Sequence, residues 1–293
     1  MSDCGRGNPM KKYTSTIIMI LCFIIGLSAL LYPTVSSYIN EKNASHVIAD
    51  YHAAYESTSK QDRLRMIEAA NSYNRELAST EDAFIFPDRV EGYDDLLDIT
   101  GTGIMGYISI DRIKAELPIY HGVDDSVLQI GVGHLEGTSL PVGGKGTHSV
   151  LLGHRGLPSA KLFTDLDEVE IGDVFRISIF DQTMTYQVDQ IKVVEPTESD
   201  DLQVVPDEDY CTLVTCTPYG INTHRILVRG FRVSTEYEKP GIYVENEAFH
   251  IDEFIVMQVL LIPFLILTVV ILICMAVNTY RIRRKKEQKP KQK

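Results

Sequence analysis

The sequence predicts a mainly β domain, a closed β-barrel with short helices, preceded by an N-terminal helical hairpin and flanked by two transmembrane helices. Three observations support this fold class. Beyond Gly106, short runs of alternating or β-branched residues are separated by turn residues rather than by long helices. Apolar residues recur at helical spacing before these runs. A long uncharged stretch lies near each end of the chain.

The first uncharged stretch predicts a membrane-spanning signal anchor over residues 17–35, after a short cytoplasmic head of residues 1–16. A helix rises about 1.5 Å per residue, so roughly 20 apolar residues cross the hydrocarbon core. A cleaved secretory signal is the alternative, because two lysines precede an apolar stretch of near-signal length that contains small residues.

The second uncharged stretch, residues 254–277, is long enough to span the bilayer and precedes a basic tail, residues 278–293. Lys11 and Lys12 lie before the first stretch. Because positively charged flanks stay in the cytoplasm, we expect a two-pass protein of the cell membrane with both termini cytoplasmic. The domain between the two spans then lies outside the cell.

The chain is acidic, with a formal net charge of −12 at pH 7. Many of its basic residues belong to the head and the tail, so the predicted outer part is more acidic than this value indicates. Phosphate binding needs clustered Lys and Arg side chains. The composition therefore argues against nucleic acid as a partner.

The part between the two spans divides into four segments. Residues 36–80 predict a helical stalk or hairpin, because apolar residues recur at helical spacing with a break at residues 57–60. Residues 81–105 mix acidic, aromatic and Pro residues without periodicity and predict a lid-like loop across the domain. The barrel is assigned to residues 106–235, and a linker to residues 236–253.

Seven strands and one short helical stretch are expected in the barrel. The strands are Tyr107 to Ile110, Leu117 to Tyr120, Val150 to Gly153, Val174 to Phe180, Met184 to Val194, Thr212 to Thr215, and Arg225 to Phe231. The helical stretch lies near Ala160 to Leu166. This pattern favours a closed or nearly closed barrel over a βαβ fold.

The five cysteines fall in three different environments. Cys22 and Cys274 lie in the apolar stretches, and Cys4 lies in the head. Cys211 and Cys216 flank the predicted strand Thr212 to Thr215, and residues five apart in a strand are about 16 Å from each other and point to opposite faces. They are therefore not expected to form a disulfide, and Cys216 is expected to be a free thiol.

Three chemistry-bearing residues are expected at the ends of strands. Cys216 ends one strand, Arg225 begins the next, and His154 follows an earlier one. Adjacent antiparallel strands would bring Cys216 and Arg225 together. Acyl transfer through a thiol needs a group that moves protons and donors for the developing oxyanion. An imidazole and a guanidinium supply these two functions.

Other residues compete for the same roles. The residues alone divide the proton-transfer role between His154 and His224, which adjoins Arg225; the remaining candidates are His134 and His148. Arg229 is an alternative to Arg225, but it would lie about 13 Å further along the strand.

A resemblance to a known family resolves this choice. The segment Thr212–Tyr219, with His224 and Arg225 after a short loop, resembles the TLxTC signature of sortases. Further blocks are similar to those of the class C, pilin-polymerising sortases: Gly133–Pro141, Gly153–Pro158 and Leu162–Asp167. The likeness extends from about Gly103 to Arg232 and joins independent motifs in order, so chance does not explain it.

The resemblance implies a role for each matching residue. Cys216 would attack the Thr-Gly bond of a Leu-Pro-x-Thr-Gly-like sorting signal, His154 would move protons, and Arg225 would steady the substrate and its oxyanion. Thr215 and Tyr219 would contribute to substrate binding. A pilin lysine would then resolve the acyl-enzyme. The resemblance also implies an eight-stranded barrel at a Gram-positive cell surface. No cofactor and no metal-ligating residue is predicted, and the sequence leaves a dependence on calcium open.

Class C sortases also carry an Asp-Pro-aromatic lid motif before the barrel. The nearest match here is Asp82-Ala83-Phe84, which keeps the acid and the ring but lacks the proline. The inverted Phe86-Pro87-Asp88 is the alternative. Asp82 and Phe84 are the lid candidates.

Other functions remain as alternatives. A housekeeping sortase would use the same chemistry with a peptidoglycan amine, and a noncatalytic surface-binding barrel would not use Cys216 at all. A sorting substrate would need a Leu-Pro-x-Thr-Gly-like motif before the second span, and none occurs between Glu238 and Phe254. The GxGxxG match at residues 101–106 precedes a predicted strand, which argues against a phosphate site. A zinc site from both outer cysteines and His224 has unsuitable spacing.

Overall fold

The computed structural model describes residues 14–234 and six isolated helical positions between residues 265 and 280. The chain divides into two compact units, of which Ser36–Gly241 contains every described strand and Met1–Val35 with Ile242–Lys293 forms the other. Apart from those isolated positions and the start of α1 below, the predicted head, linker, second span and tail lie outside the described residues.

Helix α1 extends over Thr14–Ser57 and contains Pro33. Among the described residues, one helix, Ile20–Ser57, is long and apolar enough to cross a membrane, and none of its most apolar window is buried. The predicted first span falls within α1. A signal sequence near the N-terminus passes the same test of length and composition, so both interpretations of this stretch stand.

Helix α2 extends over Lys60–Ser79, so the chain breaks between Ser57 and Lys60 as the sequence predicts. Ser59 caps α2, because its Oγ accepts a hydrogen bond from the backbone N–H of Asp62 at 3.1 Å. Such caps satisfy one of the N–H groups that a helix leaves unpaired at its start.

The segment that follows α2, residues 81–103, is called the strap. It contains two 3₁₀ turns, Pro87–Arg89 and Tyr93–Asp95. The strap packs on the barrel through apolar side chains that are at most 4% exposed: Ala83, Val90, Tyr93 and Leu97. The predicted loop across the domain therefore has a well-buried inner face.

Eight strands form a closed barrel within residues 104–233, in the order β1-β2-β3-β4-β7-β8-β6-β5. Their bounds are β1 Ile104–Ile110, β2 Ala115–His121, β3 Val132–His134, β4 Thr147–Leu152, β5 Val174–Ile179, β6 Gln182–Val194, β7 Asp209–Thr217 and β8 His224–Val233. The predicted barrel is confirmed, and the seven strands predicted from the residue pattern each fall on one of these eight.

Two local features differ from the sequence prediction. Strand β3 has three residues, which is too short to produce a recognisable alternation. The prediction of a helical stretch near Ala160 to Leu166 is wrong. The chain forms turns there, followed by a 3₁₀ turn at Leu166–Glu168. Leu162 adopts a φ of 42°, which is incompatible with a right-handed helix. The described part also has a four-residue helix α3, Asp125–Leu128.

Three buried polar contacts fasten the helices and the strap to the barrel, and we call them the polar anchors. The hydroxyl of Tyr51 in α1 donates to the Met105 carbonyl and accepts from the Phe180 N–H, each at 2.9 Å. The amide of Asn74 in α2 pairs with both backbone groups of Leu140, at 2.7 and 3.1 Å.

The third polar anchor joins Tyr93 of the strap to His134 of β3. Nε2 of His134 lies 2.9 Å from the Ser139 carbonyl, which can only accept, so this nitrogen is the donor. In a neutral imidazole Nδ1 then accepts, and it lies 2.9 Å from the Tyr93 hydroxyl. That hydroxyl also accepts from the N–H of Gly122 at 3.0 Å.

Candidate active site

Cys216 lies near the end of β7, where the strand emerges from the core. Residues Cys211 to Thr215 are buried, whereas Cys216 is partly exposed. On one side β7 pairs with β8 in antiparallel register, and Arg225 is the residue opposite Cys216. Directly opposed residues in such a pair lie about 4.5–5.5 Å apart. The sheet therefore places a guanidinium-bearing residue beside the thiol-bearing one.

On its other side β7 pairs with β4 in parallel register, and this pairing carries His154 to the same level. Leu152 pairs with Val214. The register continues through Gly153, whose N–H donates to the Val214 carbonyl at 3.1 Å and whose carbonyl accepts from the Thr215 hydroxyl at 2.7 Å. The next step along both chains brings His154 beside the thiol position.

The side chains at this level are held loosely. His154 is 29% exposed, and its Nε2 lies 3.5 Å from a carboxylate oxygen of Asp125 in α3. Arg225 donates from Nη1 to the carbonyls of His224, at 3.1 Å, and Asn222, at 3.3 Å. The backbone register thus places the partly exposed Cys216 between the positions of His154 and Arg225, whose side chains are the kinds of group that thiol-based acyl transfer requires.

The second outer cysteine has the opposite surroundings. Cys211 belongs to the same strand but is 0% exposed. Desolvation by burial, together with the charge of Asp209, raises the pKa of the Cys211 thiol well above its ordinary value. Because the thiolate is the nucleophile, this burial disfavours reaction at Cys211 in the folded protein. Both cysteines are free thiols in the part of the chain that the structure describes.

Comparison with known proteins decides the family. A family model described as a sortase domain matches residues 108–233, which contain all three site residues. The crystal structure of sortase C1 from Streptococcus agalactiae is 48% identical, covers 64% of this chain and 98% of its own, and superposes with a TM-score of 0.59. The chain belongs to the sortase family.

Two further relatives show how sequence identity and coverage vary among the proteins similar to this chain. A sortase C from Streptococcus pneumoniae is 41% identical over 64% of this chain and 97% of its own, with a TM-score of 0.59, and its structure concerns catalysis and pilin substrate specificity. Sortase D from Bacillus subtilis is 30% identical over 132 residues, or 44% of this chain and 64% of that protein. This sortase therefore spans slightly less than two thirds of the B. subtilis relative.

The histidines that compete with His154 have other surroundings. His134 forms the third polar anchor, and desolvation lowers its pKa from the ordinary 6.5 to about 4. His148 is buried, and its two nitrogens contact the Gln203 carbonyl at 2.9 Å and the Thr212 hydroxyl at 2.7 Å. Burial also lowers the pKa of His148. His224 is exposed beside Thr223. The described β4–β7 register therefore favours His154 in this sortase.

The two residues predicted to bind substrate differ in accessibility. Thr215 is 2% exposed, and its hydroxyl holds the Gly153 carbonyl beside the site. The structure thus gives Thr215 a supporting contact, and substrate binding by this residue stays a prediction. Tyr219 is 60% exposed and lies two residues after the end of β7, and substrate binding by this residue also stays a prediction.

The lid candidates lie on the strap. Asp82 is exposed and lies 3.8 Å from Arg89, whose guanidinium is also 4.8 Å from the centre of the Phe86 ring. The backbone of Phe84 packs against Gly137, where an added Cβ would come within 3.0 Å of the Phe84 carbonyl. The first two contacts lie within the strap and the third joins it to the barrel domain, and a lid role for Asp82 and Phe84 stays a prediction.

Two residues near the site were not identified from the sequence. Asp125 contacts His154, and Arg155, which follows His154, contacts Thr217 and Asp167. Arg155 lies inside the Gly153–Pro158 motif, which was the available signal. Within residues 14–234 and the isolated later positions, no group of three or more His, Cys, Asp or Glu side chains could hold a metal ion.

Proposed function

We propose that this sortase is a membrane-anchored class C transpeptidase. It cleaves a Leu-Pro-x-Thr-Gly-like sorting signal between Thr and Gly, forms a thioacyl-enzyme, and transfers the acyl group to a pilin lysine. The observation that carries the proposal is the strand register, which brings His154, Cys216 and Arg225 to one level on three adjoining segments of the barrel.

The first half-reaction forms the thioester. The thiolate of Cys216 attacks the carbonyl carbon of the substrate Thr, and the guanidinium of Arg225 stabilises the oxyanion that develops. Collapse of this intermediate breaks the Thr-Gly bond. The imidazolium of His154 gives its proton to the departing Gly amine, so the substrate acyl group remains on sulfur and His154 becomes neutral.

The second half-reaction transfers the acyl group. A neutral lysine amine attacks the thioester carbonyl, His154 takes up the proton that this amine loses, and the Cys216 thiolate departs. The product is an isopeptide bond, and the enzyme returns to its starting protonation. The similarity to sortases C at 41–48% identity supports pilins as both donor and acceptor. Neither half-reaction uses a cofactor.

The proposal includes a two-pass topology with the barrel outside the cell. The apolar N-terminal helix supports one anchor, and the uncharged run of residues 254–277 with its basic tail supports the second. In intact cells, a membrane-impermeant thiol reagent should label Cys216, whereas external protease should not remove a tag fused after Lys293. Loss of that tag would contradict the topology.

The reaction is tested with the full-length protein in detergent, a fluorescence-quenched Leu-Pro-x-Thr-Gly peptide, and purified pilin. Wild-type protein should cleave the peptide and produce a ladder of covalent pilin oligomers. The Cys216→Ala variant should do neither while retaining the wild-type melting temperature. The matched control Cys211→Ala should retain both activities, because burial disfavours reaction at that thiol.

A small amine that imitates the peptidoglycan acceptor separates this proposal from a housekeeping function. Efficient transfer to that amine with no pilin ladder would replace the class C assignment by wall anchoring. Pilin ladders formed by the Cys216→Ala variant would remove the proposed chemistry, and a barrel that binds the peptide without cleaving it would be a noncatalytic surface protein.

A further inference from the structure

Arg155 is a buried cation that the proposed reaction steps do not use. Its side chain is 8% exposed, and a guanidinium stays charged at any physiological pH. Asp167 accepts a hydrogen bond from Nη2, and the hydroxyl oxygen of Thr217 lies 3.4 Å from Nη1. Burial of a charge is unfavourable unless its partners compensate, and an apolar side chain of similar volume often stabilises such a position better. The position therefore suggests a functional role for this residue.

The two segments that Arg155 joins carry the proposed nucleophile and the proposed proton-transfer group. Arg155 follows His154, and Thr217 follows Cys216. Backbone pairing between these segments ends at Gly153. Beyond that point the guanidinium continues the connection, because it contacts Thr217 from the segment that carries His154.

The guanidinium is held on several sides. Its Cζ lies 5.9 Å from the centre of the Tyr219 ring, within the range of a cation–π contact. Asp167 belongs to the 3₁₀ turn that begins at the fully buried Leu166, so its backbone is anchored beside the core while its carboxylate is 46% exposed. Among the residues that the structure describes, none accepts a hydrogen bond from Nε of Arg155. An arrangement that leaves a buried donor unused is not optimised for stability, and such departures occur at functional sites.

We infer that Arg155 is a positioning residue for the transpeptidation, an inference that rests on the proposed function. Arg155 fixes the separation of the His154 segment from the end of β7, and thereby the separation of imidazole and thiol. It also holds the start of the β7–β8 loop, including Tyr219. A misplacement of about 1 Å between reacting groups can lower a rate by about 10²-fold.

The test compares Arg155→Met with Arg229→Met in the full-length protein. Arg229 is a matched control, because it is a partly buried arginine that pairs with Asp189 at 2.7 Å and lies 4.3 Å from the Tyr210 ring centre. It lies on β8, four residues beyond the site arginine. We expect Arg155→Met to lower kcat for peptide cleavage by about 10- to 100-fold, with KM changed less than about threefold. Arg229→Met should change the melting temperature but not kcat.

A second readout requires no substrate. The rate of Cys216 alkylation by iodoacetamide is measured against pH for wild type, Arg155→Met and His154→Ala. If Arg155 sets the distance between thiol and imidazole, the Arg155→Met profile should move toward that of His154→Ala. Arg155→Lys keeps the charge but not the planar fork, so it should recover at most a small part of kcat.

The inference is overturned if Arg155→Met lowers only the melting temperature, as the control does, with kcat and the alkylation profile unchanged. If Arg155→Met does not fold, Asp167→Asn and Thr217→Val remove one partner each, and unchanged kcat and alkylation in both would equally overturn it. A wild-type protein that fails to cleave the sorting peptide would instead refute the proposed function, and the alkylation profiles would still decide the role of Arg155.

Discussion

The strand-end site and the polar anchors contain similar side chains in opposite surroundings, and two histidines show the contrast. His154 at the site is 29% exposed and 3.5 Å from the carboxylate of Asp125, itself 79% exposed. His134 at the anchor is 0% exposed, and its two ring nitrogens lie 2.9 Å from Tyr93 and from Ser139. Folding satisfies every polar group of the second imidazole and leaves the first available to a substrate.

This contrast separates the groups that stabilise the fold from the groups proposed to act in the reaction. Groups that are fully paired in the core contribute to stability, and their removal leaves a partner unsatisfied. Groups at exposed strand ends contribute little to stability, and their removal affects chemistry. The predictions below follow from this division.

The largest effect is expected at the site. His154→Ala should reduce the rate of sorting-peptide cleavage by up to roughly 10⁴-fold, the upper range for loss of a general acid–base group. Its melting temperature should stay close to that of wild type, because the imidazole is partly exposed and loosely held. Steady-state kinetics and thermal melts on the same preparation measure both quantities. A large fall in stability would mean that His154 belongs with the anchors.

The next effect is expected at an anchor. Asn74→Leu keeps the side-chain volume but leaves the N–H and the carbonyl of Leu140 unpaired, where wild type pairs them at 2.7 and 3.1 Å. Each unsatisfied buried group costs about 1–3 kcal/mol, so we expect a loss of about 4 kcal/mol in the free energy of unfolding. Peptide cleavage measured well below the melting temperature should be retained. Chemical denaturation of this variant beside Arg75→Leu, a change of an exposed α2 residue, provides the control.

The same contrast explains what the sequence could and could not predict. Strands β5 to β8 have six or more residues, alternating or β-branched, so the sequence pattern predicted them, whereas the three-residue β3 depends on pairing with β2 and β4. Cys216, His154 and Arg225 stand in local motifs, and these motifs identified them. The anchors join residues far apart in sequence, such as Asn74 and Leu140, so no local signal marked them. Arg155 stands in the local motif Gly153–Pro158, but its burial depends on partners that follow it by 12 and 62 residues, so the motif alone did not indicate its contacts.

Acid should weaken the fold through His134. Its pKa is about 4 in the fold against an ordinary 6.5, so between these values the unfolded chain binds a proton that the folded chain does not. Stability should therefore fall as the pH decreases from about 7 to about 4, by on the order of 3 kcal/mol from this residue. Protonation of Nδ1 would place a second donor against the Tyr93 hydroxyl. Neighbouring His121 further disfavours the charged form.

Other groups contribute to the same titration, so the measurement is a difference. Buried His148 acts in the same direction as His134, whereas Glu136, whose pKa is raised mainly by desolvation, acts in the opposite direction. Denaturant melts at several pH values should show a smaller loss for His134→Gln than for wild type. Equal losses for the two proteins would show that the anchor histidine does not titrate in this range.

The smallest effect is expected at Gly153, where the strand-end site meets the buried core. An added Cβ there would lie 2.5 Å from the ring of Phe163, which is 0% exposed and cannot move freely. Gly153→Ala should lower the free energy of unfolding by about 2 kcal/mol through overpacking. Because Gly153 also connects β4 to His154, the same change should lower kcat severalfold, unlike any anchor variant. A loss of stability with unchanged kcat would show that other residues set the position of His154. Recovery of kcat in the double variant Gly153→Ala/Phe163→Leu would show that the loss of kcat comes from the contact between the added Cβ and the Phe163 ring.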